Sequence, residues 1–336
     1  MRGYVAQSKS DCKTGTDANI NSVLVKIGNK KGSMADLKDN RPRDVQDHYS
    51  VNASTYRNHY DSKNFRTSST YPAEYFRLDI LLKRLQDIEA KRVLDAGCGE
   101  GTPMLKVSEL GIEVRGFDFT EEMVKEAKAI FVEHSLDPNW VKLGDVENYE
   151  SFATLVGEDL FDAAICFGVL PHVSDDLVAL KNLRKCIRPG GRAFVEFRNP
   201  LFDLITMNRF THNFMVNELL ENVPQELRDA TSEHLSGILA MDKPFMRNES
   251  EGGKPGYDSI QAKRHNPITV PTLFASAGFE APKIHWYHFH PTLPMLEGET
   301  VTAAAFREAA FNMEAETSDW RGYFLCSAYV VEAIVP

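Results

Sequence analysis

Three aspartates and a run of glycines are the residues of this chain best suited to chemistry. In "VLDAGCGEG" Asp95 closes an apolar run, and Gly97, Gly99 and Gly101 follow it. Asp118 closes "EVRGFD", and Asp145 follows "WVKLG". Glycine lets a backbone turn sharply and approach a ligand without interference from a Cβ. A nucleotide fingerprint would space its glycines G-x-G-x-x-G and seat a pyrophosphate on a helix N-terminus. Here the third glycine falls one place early, Thr102 takes its slot, and Glu100 stands inside the loop, where it repels phosphate. The pattern suits a ligand that carries positive charge and no phosphate, and it disfavours a nicotinamide-dependent oxidoreductase.

Such residues need rigid strand tips to hold them. The runs "RVLDA", "IEVRGFD", "WVKLGD", "DAAICF" and "RAFVEFR" read as strands, with helical runs such as "TEEMVKEAKAIFVEH" and "DDLVALKNLRKCI" between them. That rhythm predicts a parallel sheet with helices on both faces. Ligands of such sheets sit beyond the carboxyl ends of the strands, where strand order reverses. Ahead of it, Tyr75, Leu78, Leu81, Leu82 and Leu85 share one helical face. After "FRNP" the rhythm gives way to mixed helix and a Gly/Lys/Pro-rich loop. It resumes with "TVPTLFASAGF", a helix closed by Gly278, then "KIHWYHFH" and, past an insertion near 291–320, "GYFLCSAYVVEAIV". The expected organisation is a poorly ordered segment over 1–48, a helical cover over 49–90, a core over 91–199 and 266–336, and a lid that selects the acceptor over 200–265. Met34 opens a stretch that itself reads like a protein start.

"VLDAGCGEG" resembles the first motif of the class I S-adenosylmethionine-dependent methyltransferases, and the resemblance runs from Arg92 to Phe197. It implies an α/β, Rossmann-like fold: a seven-stranded, mostly parallel sheet whose antiparallel last strand lies between the two before it, with a mainly helical lid inserted. The implied cofactor is S-adenosyl-L-methionine, released as S-adenosyl-L-homocysteine. By the same resemblance Asp95, Gly97 and Gly99 surround its methionine portion. Asp118 accepts from the ribose hydroxyls, Phe119 adjoins it, and Met123 lies against adenine. Asp145 accepts from the adenine amino group, the Val146 backbone reads the neighbouring ring nitrogen, and Phe167 and Gly168 line the methionine end. A plainer reading of Thr120-Glu121-Glu122 is a helix start, and both readings can hold together.

Methyl transfer to an oxygen of high pKa also needs a base, and histidine titrates in the right range. The candidates are His172, His265, His288 and His290. Strand alternation would put Trp286, His288 and His290 on one face of "HWYHFH" and His285, Tyr287 and Phe289 on the other. The two histidines at i, i+2 are read as a base, a pair of metal ligands or simple packing; no bound metal is expected. His172 is better read as a structural neighbour of the cofactor loop. Arg209, Lys243, Arg247, Lys254, Lys263 and Arg264 in the lid suit an anionic acceptor, although a solvated surface is the stronger reading. Tyr60, Arg66 and Arg77 are candidate contacts from the cover.

Composition narrows the partners. The 336-residue chain is 43% hydrophobic and 26% charged, with a net charge of −10, which argues against nucleic acid and anionic membrane as partners. No apolar run reaches the ~18 residues of a membrane span. The five cysteines include no C-x-x-C pair, so neither a zinc site nor a disulfide framework is expected, and a cytoplasmic setting fits. The expected function is methylation of a small-molecule acceptor, most naturally at oxygen, by a protein that could form a homodimer. The alternatives are an N-methyltransferase of a small amine and a catalytically silent protein that binds the same cofactor.

Overall fold

The strand and helix patterns of the sequence are realised as a seven-stranded sheet in the order Val141–Leu143, Glu113–Asp118, Arg92–Ala96, Phe161–Cys166, Ile187–Arg198, Cys326–Ile334, Glu280–Phe289. The computed structural model describes residues 41–52, 60, 71–157, 159–244, 262–297 and 302–336. The chain divides into two units, residues 1–38 and 39–336, and every described element belongs to the second. Arg66, Arg247 and Lys254 lie outside the described residues.

In chain order the core elements are α1 (Arg41–Asn52), α2 (Ala73–Asp87), β1 (Arg92–Ala96), α3 (Thr102–Ser108), β2 (Glu113–Asp118), α4 (Glu121–Glu133), β3 (Val141–Leu143), α5 (Tyr149–Val156), β4 (Phe161–Cys166), α6 (Asp176–Cys186) and β5 (Ile187–Arg198). The part expected as a lid carries α7 (Arg209–Asn213), a π-helical turn over Phe214–Leu219, and α8 (Gln225–Ser236). The chain then returns through α9 (Val270–Ser276), β6 (Glu280–Phe289), α10 (Ala303–Met313), α11 (Gly322–Leu325) and β7 (Cys326–Ile334). Residues 41–48, expected to lack regular structure, belong to the helix α1.

Strands β1 to β5 pair in parallel, while β7 runs antiparallel to both β5 and β6. The last strand thus lies between the two that precede it, as expected. Period-two alternation divides the side chains between two cores. On one face Val93, Val114, Ile165, Phe194 and Tyr287 pack with Leu78, Leu81 and Leu85 of α2 and with Phe131 of α4. On the other, Leu94, Phe117, Val195, Phe197 and Tyr329 pack with Phe152, Leu183 and Phe274 from α5, α6 and α9. Strand order reverses between β1 and β4, so the C-terminal tips of β1, β2 and β4 border one crevice.

The alternation expected along β6 fails at one residue. His288 has a positive φ of 60°, and Phe289 joins the core that holds Trp286 instead of the Tyr287 face. His288 stacks on Tyr71, with ring centres 4.9 Å apart. Trp286 and His288 therefore do not share the surroundings that simple alternation gave them.

Candidate functional site

At the switch point the glycine-rich turn, the tips of β2, β3 and β4, and parts of α1 and α2 enclose a cleft of about 1270 Å³, its open mouth included. All ten residues expected around a cofactor line it: Asp95, Gly97, Gly99, Asp118, Phe119, Met123, Asp145, Val146, Phe167 and Gly168. Of the four candidate histidines, His172 lines it and His265, His288 and His290 do not.

The turn is built by its own backbone. Gly97 N and Cys98 N both donate to Phe117 O, at 2.8 and 3.0 Å, which folds the loop back over β2. Gly97 has φ +83°, and a Cβ there would collide with Val169, so only glycine lets the two rims approach. Gly99 has φ +54°, and a Cβ there would meet nothing within 4 Å. Glu100 does more than repel phosphate: its Oε2 accepts from Thr102 N at 2.7 Å and Thr102 Oγ1 at 2.9 Å, fixing the start of α3.

Each aspartate is held differently. Asp118 accepts from Gly99 N at 2.9 Å through one oxygen and from Thr120 N at 2.8 Å through the other, so it braces the glycine turn and the start of α4 together. Burial raises its pKa, and those hydrogen bonds oppose the rise. Asp145 accepts from Glu147 N at 2.9 Å, a tight turn that presents the Asp145-Val146 edge to the cleft. Asp95 is 2% exposed, and its Oδ2 is buried without a hydrogen-bond partner. Burial, with Asp118 nearby, pushes its carboxyl up to about 7, although Arg77 pulls the other way. A buried acceptor left unmatched costs about 1–3 kcal/mol, which a donor on a bound ligand recovers.

Arg77 is the cation among these acids. It lies 7% exposed, its guanidinium 4.9 Å from the centre of the Phe167 ring. One terminal nitrogen pairs with Glu196 and the other donates to Tyr60 Oη at 3.0 Å. Burial opposes its charge, but Glu196, Tyr60, Tyr287 and Glu74 together overcome that and raise its pKa. Tyr60 and Arg77 both line the cleft, as expected of the cover. The helix α1 contributes residues that were not expected at the site. Val45 and Tyr49 of α1 line the cleft, and Tyr49 Oη lies 3.0 Å from His172 Nε2. Glu196 reads in the sequence as one more strand residue; an acid inside the apolar "AFVEF" is the signal that could have found it.

The other histidines have different surroundings. His265 Nε2 lies 3.0 Å from Asp176 Oδ2, its backbone N donates to Arg198 O, and its carbonyl accepts from Tyr329 Oη. Lys263 Nζ reaches the same aspartate at 2.5 Å, and its backbone N donates to Pro171 O. Burial works against charge on Asp176, yet these partners lower its pKa. The segment clasps the end of the insertion to the loop after β4. His288 Nδ1 lies 2.7 Å from Ser327 Oγ, and burial lowers its pKa to about 4. His290 lies between Phe202 and His288, both ring nitrogens buried without a partner, and burial lowers its pKa to about 3. Among the described residues no group of three or more His, Cys, Asp or Glu side chains is arranged to hold a metal ion.

A second, more open cleft of about 890 Å³ lies at the insertion, between Phe202, Phe210, Arg264, Met295 and Ser327. Ser327, on its wall, is the hydrogen-bond partner of His288. Two of the lid cations are matched by acids: Lys263 by Asp176 and Arg264 by Asp203.

Comparisons with known proteins point to a methyltransferase domain. Residues 93–191 match the family model described as "Methyltransferase domain". The chain is 32% identical over 123 residues to a ubiquinone biosynthesis O-methyltransferase of Xanthomonas oryzae pv. oryzae, a match covering 37% of this chain and 49% of that one. It is 34% identical over 118 residues to a tRNA U34 carboxymethyltransferase of Campylobacter hominis, covering 34% and 39%. The matched region thus spans about half the length, or less, of these curated relatives. Among solved structures, the magnesium protoporphyrin IX methyltransferase of Synechocystis PCC 6803 with bound SAM superposes over 88% of this chain and 97% of that one, with a TM-score of 0.47 and 15% identity.

Proposed function

We propose that the chain, whose residues 93–191 match a methyltransferase domain, is a class I S-adenosylmethionine-dependent methyltransferase that methylates an oxygen of a small, aromatic acceptor. The observation that carries the cofactor half is the unmatched oxygen of Asp95, buried in a cleft whose rim tolerates only glycine at Gly97. A cationic amino group meets that oxygen's need, and a phosphate would meet a wall of carboxylates.

When bound, S-adenosylmethionine supplies an electrophilic methyl group on a sulfonium. The protein's own work is to hold and orient. Asp95 accepts from the amino group, and Arg77 faces the carboxylate. Asp118 keeps a lone pair on each oxygen for ribose hydroxyls while its other contacts lock the turn. Asp145 and Val146 read the adenine edge, with Met123 and Phe119 against the ring. Phe167 and Gly168 flank the methionine end, and Tyr49, Tyr60 and Val169 restrict water, which aligns the reactants and protects the electrophile.

The acceptor half rests on the second cleft and on the activity named for the O-methyltransferase relatives. Its wall offers Phe202, Phe210 and Met295 to an aromatic body, and Thr206, Asn208 and the Arg264–Asp203 pair to polar substituents. His288 and His290 are neutral and weak as bases, being lowered to about 4 and about 3. An acceptor oxygen that is already acidic, a phenol, asks least of such groups.

Titration calorimetry with S-adenosylmethionine, S-adenosylhomocysteine and NAD tests the first half. Heat is expected from the first two and none from NAD. Incubation with S-adenosylmethionine and a panel of phenols, alcohols and amines, read by mass spectrometry, tests the second. Methylated phenols are expected; methylation of amines alone would overturn the oxygen assignment, and binding without turnover across the panel would favour a silent protein.

A further inference from the structure

One buried guanidinium, Arg77, lines the cleft with Asp95 and is ion-paired behind the wall with a second carboxylate, Glu196. Period-two alternation puts Asp95 on the face of β1 that carries Val93, and Glu196 on the face of β5 that carries Phe194, and Val93 and Phe194 share one core. Arg77 descends from α2 onto that face. It is ion-paired with Glu196, it donates to Tyr60, and its Nε is buried without a partner. Glu196 is itself fixed: its other oxygen accepts from Tyr287 Oη at 2.5 Å, across the width of β7. Only 4.0 Å separates a Glu196 oxygen from the point where a Cβ on Gly168 would stand, so the pair abuts the cleft wall.

We propose that Glu196 is a positioning residue: it holds Arg77 away from Asp95, so that Asp95 is left to take a ligand's ammonium while Arg77 faces its carboxylate. The inference rests on the reading that the cleft binds S-adenosyl ligands. A buried guanidinium without its counter-charge seeks another, and Asp95 is the cleft carboxylate that already feels Arg77. Were they to pair, the ligand's amino group would lose its acceptor and its carboxylate would lose its cation. The adenosine half of the site is built from other residues, so the loss is confined to ligands with an amino-acid end. Glu196 thereby makes the cleft selective for that end of the molecule.

The test compares S-adenosylhomocysteine, which has the amino-acid end, with 5′-methylthioadenosine, which lacks it. Titration calorimetry on Glu196→Gln is expected to show S-adenosylhomocysteine weakened by at least about tenfold, the scale of breaking a buried charge pair, with methylthioadenosine within about twofold. Glu196→Asp keeps the charge and protects folding but draws the guanidinium back; it should show the same selectivity with a smaller loss. In Glu196→Gln the pH inflection of S-adenosylhomocysteine binding should also move down, because the guanidinium now sits on Asp95. Equal weakening of both ligands, or of neither, overturns the proposal. A wild-type protein that binds neither ligand removes the functional reading itself; one that binds both while its Glu196 variants keep the ratio sinks only this inference.

Discussion

Asp95 has an oxygen with nothing to accept from, and its carboxyl, raised to about 7, sits among other acids. A group whose pKa is raised on folding favours the folded state below its unfolded value and loses that contribution as the pH climbs through its folded value. The ligand-free protein should therefore lose stability between about pH 4 and about pH 7, and Asp95→Asn should flatten that slope in thermal melts across the range. Ligand binding runs the opposite way. An ammonium group needs the ionised carboxylate, so S-adenosylhomocysteine should bind more weakly as the pH falls below about 7, by up to about tenfold per unit, and with constant affinity above it. Calorimetry that finds affinity flat across this range would remove Asp95 as the ammonium acceptor. Gly97 makes a separate demand: Gly97→Ala forces a Cβ against Val169 at a positive φ, and binding should fall even though no charge changes.

Among the elements, those that run by strict period were legible in the sequence. The apolar runs ending at Asp95, Asp118 and Cys166 are strands, and the leucine stripe of α2 faces the core. Two features escaped because they depend on partners far away in sequence. Helix α1 has little amphipathic pattern to announce it; what holds it is contact with α4, including Ser50 Oγ to Glu122 at 2.8 Å, and with His172. His288 broke the alternation of β6 because a positive φ there turns the ring toward Tyr71, a backbone detail that residue type does not signal. His265 was legible as a histidine leaving the insertion but not as a clasp, since Asp176 lies 89 positions away. That placement yields a prediction: His265→Ala should cost about 1–3 kcal/mol of stability, the penalty for stripping a buried hydrogen-bonded partner, and leave S-adenosylhomocysteine affinity within about twofold. Denaturant unfolding with parallel calorimetry checks both, and a variant with intact stability but abolished turnover would restore His265 as a base.

Over the whole molecule, the sheet order turns a linear sequence into two clefts that share no lining residue. Reversal between β1 and β4 creates the crevice lined by the three aspartates, while threading β7 between β5 and β6 brings Ser327 and His288 beside the insertion. Arg264 belongs to the second cleft, paired with Asp203, whose pKa burial raises against the pull of that same arginine. It does not line the first cleft. If one cleft takes the cofactor and the other the acceptor, a change at Arg264 must separate the two affinities. Arg264→Gln keeps hydrogen-bonding capacity and lets Asp203 take up a proton, so the fold should tolerate it. Steady-state kinetics with a phenolic acceptor should show its KM rise by about tenfold, the scale of one lost charge-assisted contact, while the calorimetric Kd for S-adenosylhomocysteine stays within about twofold. A variant in which both constants worsen together would mean that the clefts act as one site; one in which neither moves would place the acceptor elsewhere.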